Sequence, residues 1–386
     1  MDAKDAAKEN ILARKDDLLA LSHRIHANPE LGFEEERAAA WLGEILADAG
    51  FKVAAGVCDL PTAFVARAGS GPLHIGICAE YDSLPQIGHA CGHNMIAAMA
   101  IGAGIASAKL ADDLGITVSV LGTPAEEVGD GGGKVLMLER GGFDGIHAAM
   151  MVHPSPFDVL EMATTAITTF EVHYRGKESH AAFAPELGIN ALDALTVAQT
   201  AIGLLRQHIR HTDRIHGIIT HGGDAPNVIP AHTKARYMVR AKTVADLDDI
   251  RDKVFRCFEA GALATGSKLE IVGGSKPYAE LHHDPRLSAI YARNAEQLGR
   301  KFLTLPSGSG GGASTDMGNV SLVIPSIHPA IGIDSMPAVN HQPEFTAHCI
   351  KPEADKAVIE GALAMAMTIV DIAGDARLRG ELTNRG

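Results

Sequence analysis

The feature that most constrains this chain is a change of hydrophobic rhythm near residue 164. Before it, short apolar runs alternate with helical stretches. His74–Ala79 and Ile116–Gly122 are nearly continuous apolar runs, the pattern of strands buried on both faces of a sheet. Further strands are predicted over 51–57, 63–68 and 148–152, and helices over 9–27, 35–50, 95–110 and 134–140. This alternation predicts an α/β domain with a mixed sheet. From Thr164 the period becomes two: Thr164–Tyr174 and His232–Thr243 alternate as half-exposed strands. Helices over 189–209 and 245–264, and strands over 214–221 and 268–275, complete a β-α-β-β-α-β order, the ferredoxin-like pattern. The first texture returns with a helix over 285–298, a strand over 321–324 and a last helix over 352–373. The expected architecture is one domain built from residues 1–163 and 278–386, with 164–277 inserted into it.

Bulk properties narrow the class. The 386 residues exceed what one hydrophobic core usually organises. The net charge of -13, from 47 acidic and 34 basic residues, argues against a nucleic-acid partner. The opening segment MDAKDAAKENILARKDD has no apolar core of a signal peptide. The run from Met95 to Ala108 is shorter than the roughly 20 residues a bilayer requires. Five cysteines, without a Cys-x-x-Cys pair, read as free thiols in a reducing compartment. A cytoplasmic protein without a membrane partner is the expectation.

Four short segments carry chemistry. Gly88-His89-Ala90-Cys91-Gly92-His93-Asn94 lies between a predicted strand end and a helix start, and its thiol and imidazoles suit a borderline-soft ion such as Zn²⁺. Gly122-Thr123-Pro124-Ala125-Glu126-Glu127 comes straight after a buried strand. Adjacent carboxylates on an extended chain point to opposite sides, so one can bind metal while the other acts as a base. His153 stands at the end of the 148–152 strand, and His341 lies in Asn340-His341-Gln342-Pro343. Each segment alone is compatible with a solvated loop or a structural histidine. Jointly they place metal-competent residues at the carboxyl ends of several strands, where open α/β sheets present ligands.

These segments, in this order, resemble the zinc exopeptidase and aminoacylase family. The likeness is strongest to its branch of auxin-conjugate, aminobenzoyl-glutamate and β-alanyl-dipeptide hydrolases. It runs through HRIHANPELGFEE (23–35), AEYDSLPQIGHACGHN (79–94), GTPAEEVGDGGGK (122–134), MMVHP (150–154), SHAAFAPELGINALDA (179–194), GGDAPNVIPAHTKARYMVR (222–240), STDMGNVS (314–321) and NHQPEF (340–345). The resemblance implies a mixed-sheet catalytic domain of zinc-exopeptidase type whose inserted ferredoxin-like module is a lid and dimerisation domain. It implies Cys91, His93, Glu127, His153 and His341 as ligands of two divalent ions, zinc or manganese, with Cys91 bridging. It implies Glu126 as the general base and Asp82 as the acid that orients the site. Glu80 stands where other branches have a ligand histidine. His180 would reach the partner subunit's site and stabilise an oxyanion. Asn227 would contact substrate, and Arg240, with Arg236 as fallback, would grip its carboxylate. The loop Gly308–Ala313 offers backbone N–H groups to an anion or serves as a hinge.

The activity so implied is hydrolysis of the amide bond of a small N-acyl amino acid, aminobenzoyl-glutamate-like conjugate or dipeptide, by a homodimer joined through the lid. Two other readings stay open at this point: an inactive metal- or ligand-binding protein on the same scaffold, and a cysteine hydrolase with Cys91 as nucleophile and His93 as base. Chelator sensitivity separates the cysteine hydrolase, which should survive chelation, from the metal-dependent amidohydrolase.

Overall fold

The computed structural model describes residues 2–304 and 312–384. Among them are twelve strands: β1 (Lys52–Ala55), β2 (Phe64–Gly69), β3 (Leu73–Ala79), β4 (Ile116–Gly122), β5 (Ala148–Met150), β6 (His153–Ser155), β7 (Ala166–Arg175), β8 (Arg214–His221), β9 (His232–Ala241), β10 (Lys268–Gly273), β11 (Ser326–Ile327) and β12 (Ala330–Gly332). The first sheet has the order β1-β2-β4-β3-β5-β11. Its centre, β4-β3-β5-β11, is parallel, while β2 and β1 run antiparallel along one edge. Every residue of β3 is buried, as expected for an apolar run covered on both faces. Helix His93–Ala108 is built from Ala, Gly, Ile and Met and is buried from His93 to Ser107. Apolar all round, it belongs inside the core rather than on a surface. It packs against helices Pro352–Gly374 and Lys15–His26.

The inserted module forms a second sheet of order β10-β7-β9-β8, antiparallel throughout. That is the strand arrangement a β-α-β-β-α-β chain produces when both helices cover one face. Helix Ala191–Leu205 starts at Asn190, whose side chain accepts from Leu192 N and Asp193 N. Helix Val244–Thr265 starts at Thr243, whose hydroxyl accepts from Asp246 N, and stops at left-handed Gly266. A core of its own, including Phe170, Tyr174, Tyr237 and Phe258, lies between these helices and the sheet. The fold is thus α/β, a mixed sheet carrying an inserted ferredoxin-like module.

Local expectations needed correction. The predicted helix over 9–27 is two helices, Ala3–Leu12 and Lys15–His26, broken at Ala13-Arg14. The 189–209 helix ends at Leu205 and continues as a single tight turn, Arg206–His208. The 148–152 strand is β5 alone, so His153 opens β6 instead of closing a strand. The strand expected over 321–324 is helix Met317–Val323, followed after Pro325 by β11. Three apolar residues, Leu322–Ile324, do not distinguish the two periods, and Asp316 ahead of them favours a helix start. Pro352–Gly374 is long and apolar enough to cross a bilayer, but 83% of its apolar window is buried inside the protein.

Candidate metal centre

The site collects at the ends of strands. β3 runs into Glu80, Tyr81 and Asp82. β4 runs into the loop holding Glu126 and Glu127. Helix His93–Ala108 begins beside both, its first residue His93 lying 2.9 Å from Asp82 Oδ1 and 3.9 Å from Glu126 Oε2. Gly92, at φ +79°, turns the chain from Cys91 into that helix, and a Cβ there would meet Pro154 Cγ at 2.8 Å. Two non-glycine residues also hold left-handed backbone here, Ala125 (φ 56°) directly before Glu126 and His341 (φ 68°). Such conformations cost energy and persist where the surroundings fix them.

Seven sequence-predicted residues converge: Asp82, Cys91, His93, Glu126, Glu127, His153 and His341. Cys91 Sγ lies 3.4 Å from His153 Nε2 and 3.5 Å from His341 Nε2. Ligand atoms of Cys91, His93 and His153 form one group within 4.8 Å, and those of Cys91, Glu127 and His341 form a second. The two groups share the thiol and nothing else. His341 Nε2 is 3.5 Å from Glu127 Oε2. Asp82 is buried and accepts from His93 Nδ1 at 2.9 Å and from Glu127 N at 3.0 Å. It therefore orients one residue of each group. Glu126 Oε2 stands 3.9 Å from His93 Nε2.

The donor set fits divalent cations. Among the described residues, His93 Nε2 and Glu127 Oε1 are buried without a hydrogen-bond partner, although each is of a type that normally finds one. Burial, then Glu80, Glu127 and Asp316, push the Glu126 carboxyl well above the usual range. Burial also raises Glu127, against the pull of His93 and His341. For His93, burial disfavours charge, but Asp82, with Cys91 and Glu80, outweighs it and raises the imidazole well above its ordinary value. A raised affinity for protons at carboxylates and a histidine is how a site short of positive charge responds. Cations on the two ligand groups would take the place of those protons. The Cys91 thiol is pushed up by burial and by Glu127, the opposite of what activates a cysteine nucleophile.

Three site residues escaped the sequence-based expectation. Lys134 is fully buried and bridges Glu80 Oε1 (2.5 Å) and Asp316 Oδ1 (2.6 Å), so Glu80 is tied to an ammonium, with Oε2 3.4 Å from His93 Nε2. Burial disfavours the Lys134 charge, yet Asp316 and Glu80 raise it well above the ordinary value. A lysine inside the apolar helix Gly133–Glu139 gives no pattern that announces a buried pair. His328 is buried against His153, ring centroids 5.4 Å apart, at the carboxyl end of β11. Its Ser-Ile-His segment had the strand-end signal, which the misassigned neighbouring strand concealed. The third, Tyr278, lines the same cavity.

That cavity has a volume of 670 Å³ and reaches from Cys91, Glu126 and Glu127 to the lid residues Ile167, Met238 and Arg240. Arg240 lines the cavity; its Nη1 donates to Gly312 O (2.7 Å) and Ser314 Oγ (2.9 Å), and its Nη2 to Met238 Sδ (3.4 Å). Arg236 is elsewhere, paired with Glu171 at 3.0 Å on the exposed lid sheet. His180 and Asn227 are exposed on the lid and do not line this chain's cavity; the carbonyl of Asn227 accepts from Ala181 N. Of the Gly308–Ala313 loop, residues 308–311 lie outside the described residues.

Residues 163–265 match a peptidase dimerisation domain. A Xaa-Arg dipeptidase of Mus musculus is 39% identical over 386 aligned residues, covering 96% of this chain and 88% of that protein. One component of a p-aminobenzoyl-glutamate hydrolase from Escherichia coli K12 is 35% identical over 65% of this chain and 56% of its own length. A dinuclear metal-binding peptidase of the M20 family from Bacillus subtilis shares the fold, with a TM-score of 0.66 at 21% identity, over 93% of this chain and 98% of that one. The matched inserted domain and the nearly full-length identity agree with the geometry: the chain belongs to the M20 peptidase family, the zinc exopeptidases and aminoacylases.

Proposed function

We propose that this protein is a metal-dependent amidohydrolase that cleaves the amide bond of a small N-acyl amino acid, an aminobenzoyl-glutamate-like conjugate or a dipeptide. The observation that carries the reading is the pair of ligand groups sharing Cys91, with the Glu126 carboxylate beside them. Cys91, His93 and His153 would hold one divalent ion, and Cys91, Glu127 and His341 a second, zinc or manganese. When bound, such ions supply Lewis-acid polarisation of the scissile carbonyl and ease ionisation of the attacking water. Glu126 accepts the water proton and returns it to the leaving amine. Asp82 keeps His93 in one orientation and fixes the backbone of Glu127. Arg240, which faces the cavity from the lid sheet, receives the substrate carboxylate. Its position on the lid sheet joins substrate capture to lid placement.

The dimerisation-domain match supports a homodimer formed through the lid. In that arrangement His180 and Asn227 serve a second copy's site, which accounts for their exposure outside this chain's own cavity. The cysteine-hydrolase reading loses its footing in the raised Cys91 thiol. A metal-reconstituted screen of N-acyl amino acids, aminobenzoyl-glutamate and dipeptides, read by amine release, tests the proposal. Hydrolysis that chelation abolishes and metal restores is expected. No amide turnover in the metal-loaded protein, or turnover indifferent to chelators and sensitive to alkylation, would overturn it.

A further inference from the structure

The two chain crossings between catalytic domain and lid meet next to Glu126. Ile167, at the start of the lid, faces Tyr278, at the end of the return segment. The N–H of each donates to the carbonyl of the other, at 3.0 and 2.9 Å. Asp130, four residues after Glu126, binds the same crossing. Its Oδ1 accepts from Thr168 Oγ1 (3.0 Å) and Lys276 N (3.1 Å), and its Oδ2 from Gly274 N (3.0 Å). A single carboxylate thus holds the outgoing and the returning strand together.

The Tyr278 side chain reaches from this crossing into the catalytic loop. Its hydroxyl donates to the carbonyl of Glu126 at 2.7 Å and accepts from Gly129 N at 3.2 Å. The residue is 2% exposed, and the space beside it is reserved: a Cβ on Gly132 would come within 2.2 Å of the hydroxyl. A phenylalanine would fill the same volume but leave two backbone groups of the base-bearing loop without their partner. Packing alone therefore does not explain the phenol.

We propose that Tyr278 is a positioning residue. It ties the backbone of Glu126 to the lid's return segment, with Asp130 fixing the crossing, so that lid placement sets the placement of the base. The proposal rests on the reading of Glu126 given above. A small displacement of a catalytic group is costly in rate while leaving substrate binding alone.

The test compares wild type, Tyr278→Phe and Asp130→Asn as metal-loaded full-length proteins. The substrate is the best amide from the screen, with rates normalised to bound metal. The expected result for Tyr278→Phe is a kcat lower by about tenfold or more. KM should change less than about twofold, since uniform binding is untouched. Metal content should stay at the wild-type value. Asp130→Asn cannot accept through both side-chain atoms and should show the same split; it carries the test should Tyr278→Phe fail to fold. An unchanged kcat in either folded variant overturns the proposal, as does a loss confined to metal content or thermal stability. If wild type itself hydrolyses no amide, the underlying functional reading fails instead, and the two failures are distinguishable.

Discussion

Glu126 sits between neighbours that raise its pKa and ligand groups that would lower it once they hold cations. Replacing it with Gln keeps the volume and removes the proton acceptor. Glu126→Gln should retain bound metal and fold but lose about 10²- to 10⁴-fold in kcat, the usual worth of a general base; steady-state kinetics beside a metal assay checks this. Glu35 controls the same loop from behind. Its Oε1 accepts from Ala125 N at 2.7 Å, and burial, then Asp82, raise its pKa from 4.5 to about 7. The folded protein therefore holds a proton between those values that the unfolded chain gives up. This contribution to stability is complete below pH 4.5 and is lost as pH rises through 7. It amounts to roughly 3 kcal/mol at most. Glu35→Gln should flatten that part of the stability–pH curve, measured by urea unfolding between about pH 5 and 8; an unchanged slope would assign the pH dependence elsewhere.

Secondary-structure elements are held at the site by buried charge. Lys134 joins the end of β3, the start of helix Gly133–Glu139 and the start of helix Met317–Val323, through Glu80 Oε1, Asp316 Oδ1 and its own N–H to Asp316 Oδ2 at 2.9 Å. Lys134→Met would leave two buried carboxylates unpaired. The expected loss is about 3–5 kcal/mol of unfolding free energy. A loss under about 1 kcal/mol, as for an exposed pair, would show that the three elements do not depend on it. This part of the architecture was illegible in the sequence, because a lysine in a helical segment is ordinarily solvated. The legible parts were those with a period or a motif. β3 and β4 announced themselves as apolar runs, the lid strands as alternation, and the candidate metal ligands as short segments bearing His, Cys or Glu. The helix at Met317–Val323 was misread because its apolar stretch is shorter than two helical turns, and that error hid His328.

At the scale of the whole molecule, convergence of distant segments is the result that matters. Residues 91, 127, 153 and 341 are brought together by strands and loops far apart along the chain, with the lid module inserted between the third and the fourth. If His180 serves a second copy's site, activity becomes a property of the dimer. Mixing unfolded or dissociated Glu126→Gln and His180→Ala chains and allowing reassembly should restore activity that neither possesses alone. Persistent inactivity in verified hybrids would place His180 outside the reaction. The central claim, that two ligand groups share the Cys91 thiol, is tested most directly by counting metal. Titration of the metal-free protein with Zn²⁺ or Mn²⁺, followed by calorimetry, should give two high-affinity equivalents per chain in wild type and neither in Cys91→Ala. Two equivalents retained by Cys91→Ala, or none bound by wild type, would contradict the account.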